Sequence, residues 1–178
     1  ASVNDTFGLT VSNTNDTPVV ASAIADATAT EDSAYSYDAS ANFSDVDGDT
    51  LTYTATLSNG DLLPSWLSIS STGTLSGTPA NGDVGAIEVT VTATDSSSAS
   101  VNDTFGLTVS NTNDTPVVAS AIADATATED SAYSYDASAN FSDVDGDTLT
   151  YTATLSNGDL LPSWLSISST GTLSGTPA

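Results

Sequence analysis

No lysine, arginine or histidine occurs anywhere in these 178 residues, which carry 23 aspartates and glutamates and a formal charge of −23. A chain without cationic side chains cannot neutralise phosphates, so nucleic acid and anionic membrane surfaces are excluded as direct partners. It cannot form an internal side-chain salt bridge either, and carboxylates forced close together have a bound cation as their available relief. Cysteine and methionine are missing too, which removes disulfides, thiolate metal sites and sulfur chemistry. Without lysine there is no amine for an isopeptide cross-link, so metal ions remain as the staple for a small domain. No apolar run reaches the roughly 18 residues a membrane span needs, and no basic region opens the chain. Acid–base catalysis would have to rest on a carboxylate pair alone. No such pair sits in a recognisable hydrophobic pocket, so the chain is not expected to be an enzyme.

What is present is repetition. Residues 1–80 recur letter for letter as residues 99–178, a register of 98, and only Asn81–Ser98 appears once. A fixed period decides the architecture, and a unit near 100 residues is a normal size for one independent domain rather than a solenoid repeat. The abundance of Ser, Thr, Asp and Gly resembles a disordered composition, but 38% hydrophobic residues in regular patterns argue for folded beads on a string.

The patterning has a period of two. In Leu51–Leu57 the odd positions are Leu51, Tyr53, Ala55 and Leu57, with threonines between them. Ile87–Thr94 sets Ile87, Val89, Val91 and Ala93 against Glu88, Thr90, Thr92 and Thr94, and Phe7, Leu9 and Val11 alternate likewise. Such runs, rich in Thr and Val, predict half-buried antiparallel strands, and no helical stripe of useful length exists. Strands are expected near Val19–Ile24, Thr28–Thr30, Ala34–Tyr37, Leu51–Leu57, Leu67–Ile69, Thr74–Gly77, Ala86–Thr94 and Thr104–Ser110. That number in one unit predicts an all-β, immunoglobulin-like sandwich. Trp66, Tyr35, Tyr53 and Phe105 read as core fillers, with an exposed sugar platform as the sharper alternative for Trp66.

Proline resists joining a central strand, so Pro18 and Pro116 mark the starts of units. A complete domain is expected over 17–114, with 1–16 as the last strand of a preceding repeat and 115–178 as an incomplete following repeat. The following copy has no counterpart of Ala86–Thr94 or of the last strand, and residues 1–16 offer only one strand of the missing kind. The 178 residues are therefore expected to be a window of a longer array.

Calcium takes about six to eight oxygen ligands and favours carboxylates and carbonyls clustered on loops. Asp45-Val46-Asp47-Gly48-Asp49 and its copy Asp143-Val144-Asp145-Gly146-Asp147 are the leading candidates. Three aspartates at alternate positions converge only if the segment curls, which Gly48 and Gly146 favour. The EF-hand pattern fails, since Thr50 stands where it needs Gly and Thr56 where it needs Glu. So short a loop cannot fill a calcium shell, and the linkers are the natural donors of the remaining ligands. Asp5, Asp26, Asp38, Asp61 and Asp103 read as solvated turn residues.

The order of these segments resembles a cadherin repeat. Glu31 comes early, then Asp45–Asp49 before a Leu-Thr-Tyr strand, then Ser71–Leu75, Ala93-Thr94-Asp95, and the linker Asn111–Pro116. Leu63–Leu67 (Leu-Pro-Ser-Trp-Leu) and Gly77–Pro79 are more similar to the dystroglycan-type cadherin-like domains of bacterial surface proteins. The resemblance implies tandem Greek-key sandwiches joined by calcium-binding linkers. It implies that Glu31 and Asp83 meet Asn111, Asn113 and Asp114 of the linker and Asp143 and Asp145 of the next domain. Asp45, Asp47 and Asp95 would serve the upper junction with Asn13, Asn15 and Asp16; Asp49 is a further candidate ligand of the loop, and Glu129 and Asp147 are the copies of Glu31 and Asp49. The Asp-Arg-Glu motif of animal cadherins is missing, Gly77–Asp83 standing in its place.

The function expected from all this is a calcium-rigidified stalk or filament of a secreted or cell-surface adhesin, outside the cell and on a bacterial surface. Its partners would be the neighbouring repeats. A carbohydrate-binding or homophilic self-association module is the alternative, and the ligand of any adhesive tip is not encoded here.

Overall fold

The computed structural model describes residues 1–178. It divides into two compact units, Ala1–Thr112 and Asn113–Ala178. Neither contains an α-helix, only single 3-10 turns at Ser40–Asn42, Asn81–Asp83 and Ser138–Asn140.

The first unit is a sandwich of short strands: β1 (Val19–Val20), β2 (Ala27–Thr30), β3 (Tyr35–Asp38), β4 (Phe43–Ser44), β5 (Thr52–Leu57), β6 (Leu67–Ile69), β7 (Thr74–Gly77), β8 (Gly85–Thr94) and β9 (Ser100–Ser110). One sheet has the order β2-β9-β8-β5, the other β3-β7-β6, and β1 pairs with β4 at the edge. All pairings are antiparallel except β2 with β9, where Ala27 to Thr30 run alongside Leu107 to Ser110. The alternation read from the sequence is obeyed. Val89, Val91, Ala93, Leu107 and Leu75 are fully buried between the sheets, while Thr52, Thr54, Thr104 and Thr108 face solvent. Burying each Val or Leu contributes about 1.5–3 kcal/mol relative to exposure. Tyr53 and Phe105 belong to the core as expected. Trp66 is half-buried, edge-on to Tyr35 with ring centroids 6.4 Å apart. Its backbone passes under Gly77, where an added Cβ would stand 1.7 Å from the Trp66 carbonyl oxygen. Only glycine fits there.

The second unit contains β10 (Val117–Val118), β11 (Tyr133–Asp136), β12 (Phe141–Ser142), β13 (Leu165–Ile167) and β14 (Thr172–Gly175). These repeat the β1–β4 and β3-β7-β6 pairings of the first unit. The copies of β2 and β5, residues 125–128 and 150–155, form no strand. Their first-unit counterparts are held by β9 and β8, and no segment plays those parts beside the second unit.

The strand expected within residues 1–16 is likewise not formed. Residues 1–18 pair with no strand, and Phe7, Leu9 and Val11 are 80% or more exposed. The sequence identical to theirs is ordered as β9 because β8 and β2 flank it. One short element escaped the pattern: Phe43–Ser44, too brief to show a period. The first expected strand, Val19–Ile24, shrinks to Val19–Val20.

Candidate metal centres

The first carboxylate cluster lies at the end of the first unit where β4 runs into the Asp45–Asp49 loop and Asp95 follows β8. Asp45 Oδ1 accepts the backbone N–H of Asp47 at 2.8 Å and, more loosely, of Asp49 at 3.4 Å. Gly48, at φ +77°, closes the curl by donating to the Asp45 carbonyl at 3.3 Å. The side-chain oxygens of Asp45, Asp49 and Asp95 come within 4.8 Å of one another. Asp95 is buried at 6% exposure. Its Oδ1 accepts the N–H groups of Ser97 and Ala99, and its Oδ2 accepts the Asn15 amide at 2.9 Å. The Asn15 bond, then the backbone donors of residues 97–99, hold its carboxyl below the ordinary value against the opposing effect of burial. Asp47 turns the other way, its Oδ2 accepting the Asp16 N–H at 2.6 Å. The linker ahead of the domain is thus bonded to both the loop and the end of β8. Asp45 Oδ2 is buried and has no hydrogen-bond partner.

The opposite end of the first unit holds Glu31, directly after β2. Its N–H donates to the Ser110 carbonyl at 3.0 Å, and its Oε2 accepts the Thr112 N–H at 3.2 Å. The side chain is 1% exposed, and Oε1 is buried without a partner. A buried carboxylate with an unsatisfied oxygen is costly unless paired or metal-bound, and the chain has no cationic side chain to pair with it. Beside it Asp32 adopts φ +56° and donates its N–H to the Pro79 carbonyl at 2.9 Å. The reading of the sequence missed Asp32. Its adjacency to Glu31 was the available signal.

In the second unit the copied loop behaves alike. Asp143 Oδ1 accepts the N–H groups of Asp145 and Asp147, and Asp145 Oδ2 accepts the Asp114 N–H at 2.6 Å. The oxygens of Asp143, Asp145 and Asp147 lie within 4.8 Å of one another. Asn113 donates its side-chain amide to the Asp114 carbonyl at 2.8 Å, as Asn15 does to Asp16 at 2.9 Å.

Four expected ligands stand apart from these groups. Asp83 accepts the Ala80 N–H at 2.9 Å and caps the turn before β8. Glu129 is exposed, because its residues have no neighbour in the place of β9. Asn13 and Asn111 are exposed on the linkers. Two aspartates read as solvated turn residues are structural instead: Asp103 accepts the Ile24 N–H at 2.7 Å, and Asp26 accepts the Gly106 N–H at 2.8 Å. They tie the segment leading into the edge strand β2 to β9.

An all-oxygen donor set of clustered carboxylates, with buried unsatisfied oxygens and no nitrogen or sulfur, suits a hard divalent cation such as calcium. Comparison with known proteins bears on the fold. No curated protein sequence matches the chain. Among solved structures, protocadherin gamma B2 extracellular cadherin domains 3–6 superpose with a TM-score of 0.53 at 16% identity, over 90% of this chain and 39% of that one. An endo-fucoidan hydrolase of glycoside hydrolase family 107 shares 30% identity over 90% of this chain, with a TM-score of 0.46. The present chain spans only 24% of that enzyme's length. A PKD domain matches 57% of this chain and 92% of its own at 17% identity and a TM-score of 0.36. The family model described as "Putative Ig domain" matches residues 17–110 and again 115–178. The chain therefore belongs to that immunoglobulin-like domain family, twice over, with a fold shared with cadherin repeats.

Proposed function

We propose that this chain is a calcium-rigidified spacer: a non-catalytic stretch of tandem repeats in a secreted or cell-surface adhesin, part of a longer stalk or filament. The observation that carries this reading is Glu31, 1% exposed with a buried, unpartnered Oε1 in a chain with no cationic residue. A divalent cation is the partner that such a carboxylate lacks. Glu31 with Asp32 would hold one ion at one end of the repeat, and Asp45, Asp49 and Asp95 would hold another at the opposite end. At that end the Asn15 and Asp16 bonds already draw the linker onto the loop, so an ion there stiffens the linker as well as the domain. Asp143, Asp145 and Asp147 would do the same for the second unit, again with Asp114 of its linker bonded to the loop. Letter-for-letter repeats suit a spacer, whose useful property is length.

Calorimetric titration of the metal-free protein with calcium tests this. Saturable binding that weakens at least tenfold in Glu31→Gln, and separately in Asp95→Asn, is expected. Absence of saturable binding, or binding untouched by both substitutions, would overturn the reading.

A further inference from the structure

A groove of about 250 Å³ opens on the first unit at the end that also holds Glu31 and Asp32, where Gly85 pairs with Val109. Pro64 and Trp66, ahead of β6, line it together with Gly82, Asp83, Val84, Ile87 and Val109. Trp66 is anchored from behind, edge-on to Tyr35 and with its carbonyl fixed under Gly77, and the largely buried side chain leaves part of its surface on the groove. Asp83 is aimed by the bond it accepts from the Ala80 N–H. Gly82 and Gly85 leave the floor open, since a Cβ built at either meets nothing within 4 Å. Val84 at the rim is 41% exposed.

An indole wall, an oriented carboxylate and a small-residue floor form an amphipathic site of modest size. We propose that this groove binds one neutral sugar residue of a glycan chain. The apolar C–H face of the ring packs on Trp66, and a ring hydroxyl donates to the Asp83 carboxylate. Charge sets the class of sugar. With a net charge of −23 and Asp83 inside the groove, uronic or sulfated sugars are repelled, and no cationic side chain exists to bind them. Lining residues 82–87 belong to the segment that occurs once in residues 1–178, so within these residues the groove flanks Trp66. One such site binds weakly. Many along an array would bind tightly through multivalency, which gives a spacer a lateral grip that the calcium reading does not supply.

The test follows the two indole N–H signals by NMR while cellotriose, maltotriose or mannotriose is added, in calcium and again in chelator. The Trp66 signal, assigned through Trp66→Phe, should shift saturably in the millimolar range with at least one of these sugars, while the Trp164 signal stays put. A sulfated trisaccharide should give no shift. Asp83→Ala should weaken binding at least fivefold, and Val84→Trp, at the rim, should block it without lowering the melting temperature. Equal shifts at both tryptophans, equal binding of the sulfated sugar, or no shift with any of the three neutral sugars would overturn the proposal. Retention of the Trp66 shift in chelator separates this site from the calcium sites, so either reading can fail alone.

Discussion

The side-chain amide of Asn15 donates to Asp95 Oδ2 at 2.9 Å, joining residues 80 positions apart. One partner lies in the segment that precedes the domain and the other directly follows the central strand β8, so the bond fixes the direction in which the chain enters the sandwich. Asp95 is buried and its second oxygen is committed to the Ser97 and Ala99 amides, so it cannot turn away to follow a moving linker. Replacing Asn15 by Ala removes a hydrogen bond to a charged group, worth about 1.5–3 kcal/mol in well-buried settings. Because Asn15 itself is exposed, a loss of about 1 kcal/mol or less is expected in urea denaturation. Calcium affinity at this end of the repeat should fall alongside it. An Asn15→Ala protein with unaltered affinity would remove the linker from the site.

Leu9 and Leu107 occupy the same place in the repeated sequence, yet Leu9 is 80% exposed and Leu107 is fully buried. Leu107→Ala should cost about 2–5 kcal/mol, the usual range for emptying a core position. Leu9→Ala should stay within about 0.5 kcal/mol. Denaturant midpoints of the two variants decide it, and equal losses would mean that residues 1–16 are packed in solution.

That pair also shows how far the sequence could be read. Alternation alone placed β5 and β8 to within one residue, because their core-facing positions are apolar without exception, but it found only Thr104–Ser110 of β9, because Asp103 interrupts the apolar register of Val101, Phe105, Leu107 and Val109. It could not say which copies would be strands. Thr52–Leu57 is a strand held by β8 from Thr94 to Val89, while residues 150–155, with identical letters, are not. Strand formation here depends on the neighbouring ladder rather than on local propensity. The acidic loop was legible for the same local reason: Asp45 satisfies the amides of its own curl, a feature of spacing. Asp26, Asp32 and Asp103 were not, because their partners Gly106, Pro79 and Ile24 are distant in sequence and adjacent only after folding.

Acid should weaken the fold through identifiable carboxylates. Side-chain and backbone hydrogen bonds from Ser40 hold Asp38 below its ordinary value of 3.8, and Ser138 does the same for Asp136. A carboxyl depressed in the folded state contributes stability above its unfolded pKa, and that contribution is lost as pH falls through the folded value. Stability is therefore expected to be flat near neutrality and to decline below about pH 4. Asp38→Asn, which keeps an acceptor for Ser40 without the proton, should make the decline shallower. Thermal melts across that range check this, and an identical acid limb in the variant would assign the decline to other groups.

The central claim is that a divalent cation satisfies the buried carboxylates at both ends of the repeat. One site saturated at 100 times its dissociation constant adds about 2.7 kcal/mol, and two add about twice that, against a total of roughly 5–15 kcal/mol for a small domain. The most direct test is the melting temperature of the protein in calcium and in chelator, with Glu31→Gln beside it. The account predicts a rise of at least about 10 °C in calcium, given about 4–8 °C per kcal/mol for a domain of this size, and a much smaller rise in Glu31→Gln. Equal melting temperatures with and without calcium would contradict it.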